Sequence, residues 1–427
     1  MKKRPFSLCL KTVGAAVGLA LCLLAQAGGF PARGATQSFR KAPVLCEAPQ
    51  WLKGSVAGSM NAVWRELHNG GVRNRSALEA LALVAGRLFS GFDVSLSSGR
   101  EVLLHPSRQW NWTAELHMPE TVGLLPSPYP DLLKQDMAAA LPELQTLIGG
   151  VPPEALQWAE ENFQYALNVM LSKRIPGWRG SACVKVEGND ARLDVKLYPQ
   201  PPLVLAVVPQ TLSDTIPQLL ADKVSDRTVE LLSPLTGFPL KWAAHHRREI
   251  LSWLGEKQLE NGWLKTLRSS AENSIDFKPL SRVQTRIEST TASLRGWVSA
   301  HAGGEARLEA GVHFGRCFTI GSVPSEAYVE TLFKLEHWHV DARLGLRFSP
   351  LKHVWLGIEG STEEQSDLWY RLWLGSGSHG AYGWLRWGKD NTAEAALGYH
   401  LNRYVSLELF YDTAEEDRLS LRAISNL

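Results

Sequence analysis

Beyond its first 27 residues the chain has no apolar run approaching the ~20 residues that a membrane-spanning helix needs, so any later crossing of a bilayer has to be made of strands. Cysteine is scarce. The five are Cys9, Cys22, Cys46, Cys183 and Cys317, with no C-x-x-C and no Cys/His ligand spacing, which argues against structural zinc. Charge of one sign is lacking too: 45 Lys and Arg face 43 Asp and Glu, a net +2 over 427 residues, so no nucleic-acid partner is expected. No G-x-S-x-G elbow, H-E-x-x-H pair or phosphate-cradling loop is present. No catalytic, cofactor-binding or metal-ligating residues are assigned, and no cofactor is expected.

What the sequence does contain begins with MKKRPFSLCLKTVGAAVGLALCLLAQA, a basic start, an apolar run and a small-residue cleavage site. Residues 1–27 are expected to be a signal peptide. Cys22 follows Leu21 and not a small residue, which argues against a lipid anchor. A Cys46–Cys183 disulfide is permitted in an oxidising compartment but not required.

Residues 28–109 read as an α/β lead region. Its clear helix opens at Ser76, where SALE has the form of a capping box. From residue 110 to 201 the order is strand (WNWTAELHM), two helical segments, then the strands ACVKVEG and ARLDVKLYP around Asn189-Asp190. Residues 202–280 repeat the order: PLVLAVVP, two helical segments including His245 and His246 on a solvated face, then WLKTLRSS and SIDFKPL as strands. This β-α-α-β-β order resembles the polypeptide-transport-associated (POTRA) domains of outer-membrane proteins. One α+β domain without a repeat is the alternative.

From residue 281 to 427 the helical period disappears and about eleven segments alternate with period two, from RVQTRIES to RLSLRAI, most joined by short turns. The fold class expected is an antiparallel up-and-down β-barrel of about 10–12 strands behind the α+β region, because the segments approach membrane-crossing length and follow one another as a meander. Parity puts Arg286, Glu288, Arg295, Arg307, Glu309, Glu330, Lys334, Arg343, Arg347, Glu359, Arg371, Arg386, Glu394 and Glu408 on one face. Facing lipid, each Arg would cost ~2–4 kcal/mol at the bilayer midplane, so these residues are expected to line the lumen. In LWYRLWLGSGSHGAYGWLRW, Trp369, Trp373 and Trp384 share that inner face. Tyr370, Trp387, Tyr399 and Tyr411 fall near ends of the apolar face, as interfacial girdle aromatics do.

The combination resembles the outer-membrane assembly and two-partner-secretion proteins. Their barrels have about sixteen strands and carry a VRGY-type loop motif late in the barrel. Here Leu294-Arg295-Gly296-Trp297 has a similar form, but at the start of the barrel and within a strand. The resemblance implies an outer-membrane protein with a periplasmic docking region, acting in envelope assembly, secretion or transport. It implies outer-membrane lipid and a periplasmic protein as partners. Two other readings stay open: a barrel enzyme with a His-containing lumen (His313, His353 or His400), and a soluble secreted β-sandwich binding protein.

Overall fold

The architecture is set by three sheets of one topology followed by a sheet that closes on itself. The computed structural model describes residues 41–427 except 73, 99, 261, 304–306, 336–337, 363–367, 376–379, 391 and 414–418. The expected signal peptide lies outside the described residues.

In the first unit β1 (Val44–Cys46) lies parallel to β3 (Glu101–Pro106), which pairs antiparallel with β2 (Phe92–Ser97). The second repeats this with β4 (Asn111–His117), β5 (Trp178–Glu187) and β6 (Asp190–Pro199) in the order β4-β6-β5. The third uses β7 (Ala206–Leu212), β8 (Ser269–Asp276) and β9 (Leu280–Ser289) in the order β7-β9-β8. In each, the first strand and the following hairpin are separated by helices, and the last strand inserts between the other two.

The lead region therefore holds a complete unit of its own. Its first helix, Gln50–Asn69, is not legible as a strong pattern because Gly54, Gly58 and several serines dilute it, although Leu52, Val56 and Met60 at four-residue steps form its buried face. The next helix starts at Asn74, two residues before the expected cap, and Glu79 pairs with Arg75 at 3.0 Å instead of reaching back to Ser76. In the third unit WLKT is helical (Gly262–Thr266) and the polar SSAENSID is β8.

That shift moves the barrel's start. RVQTRIES lies in β9, where one face packs under helices and alternates as strictly as a barrel strand. Arg286 and Glu288 are consequently not in the lumen. Arg286 bonds Asp214 at 3.1 Å and Glu288 at 3.3 Å, and Glu288 accepts from the Thr215 hydroxyl at 2.9 Å, all within the third unit.

One apolar core runs through the three units, from Leu52 and Leu81 through Leu133 and Leu193 to Leu232 and Val283. Polar bonds lock the joints. Trp51 donates to the Leu147 carbonyl at 2.9 Å, and Tyr129 donates to the Leu231 carbonyl at 2.8 Å. Between the second and third units Tyr129, Trp178, Phe238, Trp242 and Trp253 pack ring on ring. There Asp136 accepts from the Trp242 indole at 2.8 Å and meets His246 at 2.9 Å. His246 is thus buried, contrary to the solvated face expected, because the joint needs a partner for Asp136. Cys46, Cys183 and Cys317 are free thiols, and burial pushes the Cys46 thiol up to about 11.

Among the described residues ten strands close the barrel: β10 (Ala292–Ala302), β11 (Leu308–Ile320), β12 (Val323–Lys334), β13 (His339–Leu351), β14 (Val354–Ser361), β15 (Trp369–Leu374), β16 (Gly380–Gly388), β17 (Ala393–His400), β18 (Val405–Asp412) and β19 (Leu419–Asn426). Every neighbour is antiparallel and sequential, and β10 meets β19 to complete the ring. An open or stacked sheet, and with it the soluble sandwich, is overturned by this closure.

The aromatic joint between the second and third units supplies a test. Phe238→Ala leaves a cavity against Tyr129, Trp178 and Trp242, and the expected loss is about 3–5 kcal/mol, measured by urea unfolding of the full chain.

Candidate functional site: the barrel lumen

Period-two alternation sorts the barrel wall. Leu344 and Leu397 on the outside are each 68% exposed, with Phe314, Leu346, Ile358 and Leu409 on the same surface. The inner face is charged, and Arg386 there is 0% exposed. Tyr370 and Trp387 stand opposite each other on the outer face at 5.7 Å, near the rim remote from the α+β units. Tyr411 lies by the same rim, and Tyr399 lies toward the other, beside exposed Tyr404.

Inside, the charges interlock. Glu330 accepts from Arg371 at 3.1 Å and faces Arg343 at 3.9 Å. Glu359 forms an ion pair with Arg386 at 2.5 Å and accepts hydrogen bonds from the Tyr328 hydroxyl at 2.5 Å and from Arg371 at 3.3 Å. Arg386 continues to Glu394 at 3.0 Å, Arg343 bonds Asp341 at 2.6 Å, and Arg347 bonds Glu326 at 2.5 Å. Glu408 accepts from Arg422 and from the Tyr382 hydroxyl, the latter at 2.7 Å, while Glu309 meets His301 at 3.2 Å. Arg295, Arg307 and Lys334 line the same space toward its two ends. Like charges do stand on neighbouring strands, as Arg371 and Arg386 do, but each is answered by carboxylates: Arg371 by Glu330 and Glu359, Arg386 by Glu359 and Glu394.

Rings fill much of what remains. Arg347 lies over Trp355 and Trp373 at 4.9 and 5.1 Å, Arg371 over Trp373 and Trp384 at 4.6 and 5.1 Å, and Arg422 over Phe410 at 4.9 Å. Trp369 is buried against Arg386 at 3.9 Å. Rings lie flat on the wall because glycines face them across the ladder: Trp297 opposite Gly311, Tyr328 opposite Gly345, Tyr382 opposite Gly398. A Cβ on Gly345 would come within 2.4 Å of the Tyr328 ring. The remaining cavity, about 1060 Å³, is lined by residues from both rims, from Asp390 and Asp412 to the third unit's Ser213–Gln218 segment.

Sequence parity did not select Glu326, Tyr328, Asp341, His301 or Arg422; the first four share a face with a selected residue in their own strand, whereas no residue of Arg422's strand was selected. His313 sits between Glu326 at 2.9 Å and Glu330 at 3.3 Å, and the Ser293 hydroxyl donates to Glu326. Both ring nitrogens being occupied, His313 has none to offer Ser293 as a base, and the barrel-enzyme reading finds no support there. His353 is exposed in the β13–β14 turn and His400 stacks on Tyr382 at 4.3 Å. His337 and His379 lie outside the described residues.

In the second unit Glu115, His117 and Asp194 lie close enough to share a metal ion. Their oxygens are already taken. Lys185 and Arg192 bond Asp194 at 2.6 and 2.8 Å, and Arg192 bonds Glu115 at 2.6 Å, which fits an ion-pair cluster and not a ligand set. The bond from Lys185, with those from Arg192 and His117, holds the Asp194 carboxyl well below the usual range.

A closed barrel, apolar outside and ionic inside, entered from a POTRA-like β-α-α-β-β unit, defines the class: an outer-membrane β-barrel protein with its α+β region on the periplasmic side. Short connections such as Gly321-Ser322 and Lys352-His353, and both ends of the barrel chain, lie at the α+β side, as periplasmic turns do. No family model and no curated protein matches the sequence. Among solved structures, BamA from Haemophilus ducreyi lacking POTRA domains 1–3 is 8% identical, covering 73% of this chain and 72% of its own, at a TM-score of 0.16. POTRA1–3 of Omp85 from Anabaena is 12% identical over 58% of this chain and 94% of its own, at 0.21. CdiB from Acinetobacter baumannii is 11% identical over 88% and 63%, at 0.15. Scores this low carry no weight here; the class rests on the geometry.

Three outcomes are expected. Glu359→Ala takes one of two carboxylate partners from both Arg371 and Arg386 and leaves two buried guanidiniums under-compensated, costing about 3–5 kcal/mol and lowering the temperature at which heat-modifiable migration is lost. Gly345→Val reduces the folded fraction on the same gel, and Tyr328→Ala restores it. Because Asp194 is depressed, its contribution to stability is present above the ordinary carboxyl value of ~3.9 and fades as pH falls below it. Asp194→Asn should flatten that part of an acid-unfolding curve.

Proposed function

We propose that this protein is an anchored docking platform acting in envelope assembly or secretion. The barrel fixes it among outer-membrane lipids, and the α+β arm receives a periplasmic protein partner. The observation that carries this reading is the shared core: three units joined into one arm, each with an outer strand, β2, β5 or β8, paired on one side only among the described residues. Such strands offer backbone donors and acceptors to an incoming extended segment.

The barrel's part in this reading is anchorage, with transport confined to a narrow conduit. The support is the lumen itself, where Arg371 and Arg386 bridge carboxylates and tryptophans lie against the wall. An open pore would leave such groups apart.

Two measurements test the proposal. A photo-crosslinking residue at Val186, exposed on β5, should capture a periplasmic protein that the same probe at buried Leu193 does not. Equal capture at both, or none at either, would refute docking at this edge. In planar bilayers the native chain should conduct far less than Arg371→Ala/Arg386→Ala; equal conductance would refute a side-chain-filled lumen.

A further inference from the structure

The barrel closes unevenly. β10 pairs with β19 only from Trp297 to Ala302, so Ala292–Gly296 has no β19 neighbour. That stretch is held instead by the third unit and the last residue: the Leu294 amide donates to the Thr215 carbonyl at 2.7 Å, and the Leu427 amide to the Gly296 carbonyl at 2.8 Å. Outside it lies a groove of about 450 Å³ between the barrel wall and the start of the helix Gln218–Leu232. Leu219, Leu220, Leu294, Val312 and Leu427 give it an apolar lining.

Two cations border the groove, Lys223 on the helix and Arg295 on β10. Arg295 borders the lumen as well, because the ladder to β19 stops short of it and leaves that part of the wall open on both sides. Both cations are exposed, and neither forms an ion pair or side-chain hydrogen bond among the described residues. The apolar lining runs without a break into the lipid-facing wall, since Leu294 and Val312 belong to that wall, and it lies at the periplasmic rim. An apolar slot open to acyl chains, with unneutralised positive charge at the level of the headgroups, matches one occupant by shape and by charge.

We propose that this groove is a binding site for one anionic phospholipid of the periplasmic leaflet, its acyl chain along Leu219, Leu294 and Val312 and its phosphate at Lys223 and Arg295. The proposal rests on the membrane reading of the barrel. Both Lys223 and Leu219 are solvent-exposed, so Lys223→Glu and Leu219→Asn leave the fold intact.

The test is native mass spectrometry of the full chain in mild detergent, titrated with phosphatidylglycerol or phosphatidylcholine, beside heat-modifiable migration of the same samples. One phosphatidylglycerol should be retained per chain in preference to phosphatidylcholine. Lys223→Glu should weaken it at least about fivefold, the worth of one basic residue at an anionic surface, since the change also adds a negative charge, and Leu219→Asn should weaken both lipids. Equal retention of the two lipids, no change in either variant, or lipopolysaccharide in the lipid's place would overturn the site. A heat-modifiable barrel with no preference refutes the groove alone. A chain that stays soluble without detergent refutes the membrane reading, and the groove with it.

Discussion

Opposite charges sharing a narrow interior are the constraint from which the rest of the barrel follows. A buried guanidinium without a partner is strongly destabilising, and one in contact with acyl chains is little better. Arg371 answers both Glu330 and Glu359, and Arg386 both Glu359 and Glu394, so removing one member exposes more than one neighbour. Because strand side chains alternate, fixing these arginines inward places Tyr370, Leu372 and Leu385 on the outer side without further instruction. Inside and outside are one decision, taken at each arginine.

Space is settled by the same ladder. Three rings lie across from three glycines, at Trp297–Gly311, Tyr328–Gly345 and Tyr382–Gly398, so bulk on one strand is matched by its absence on the next. Two of these rings then hand a hydroxyl to the ionic web, Tyr328 to Glu359 and Tyr382 to Glu408. Packing and charge are therefore coupled: a ring displaced from its glycine also leaves a carboxylate short of a donor. The arm follows the other solution to burial, with aromatic rings and one buried polar knot, Asp136 with Trp242 and His246, at the second joint.

Barrel strands were the most legible part of the sequence, since alternation survives whatever the partner strand turns out to be. The same property hid where the barrel begins. β9 alternates for a different reason, one face lying under helices, and nothing local distinguishes RVQTRIES from ASLRGWVSA; only the polar β8, lacking an apolar face, would have corrected the count. Arg286 and Glu288 were carried along by that error. Within the lumen, parity pointed to Glu330, Glu359, Arg371 and Arg386 but could not say that Glu359 joins Arg371 to Arg386, because which inward side chains meet depends on the register between strands, which alternation does not encode. His246 was unreadable for a related reason: its partner Asp136 lies in another unit.

The tie between the third unit and the wall has a mechanical consequence. The Thr215 carbonyl holds Leu294 and the Gln218 amide holds the Leu427 carbonyl, so the arm grips both strands of the closing ladder at once. That ladder has six residue pairs, against twelve between β11 and β12. A pull on the arm, from whatever it carries, is delivered as shear to a short run of bonds and not to the cylinder as a whole.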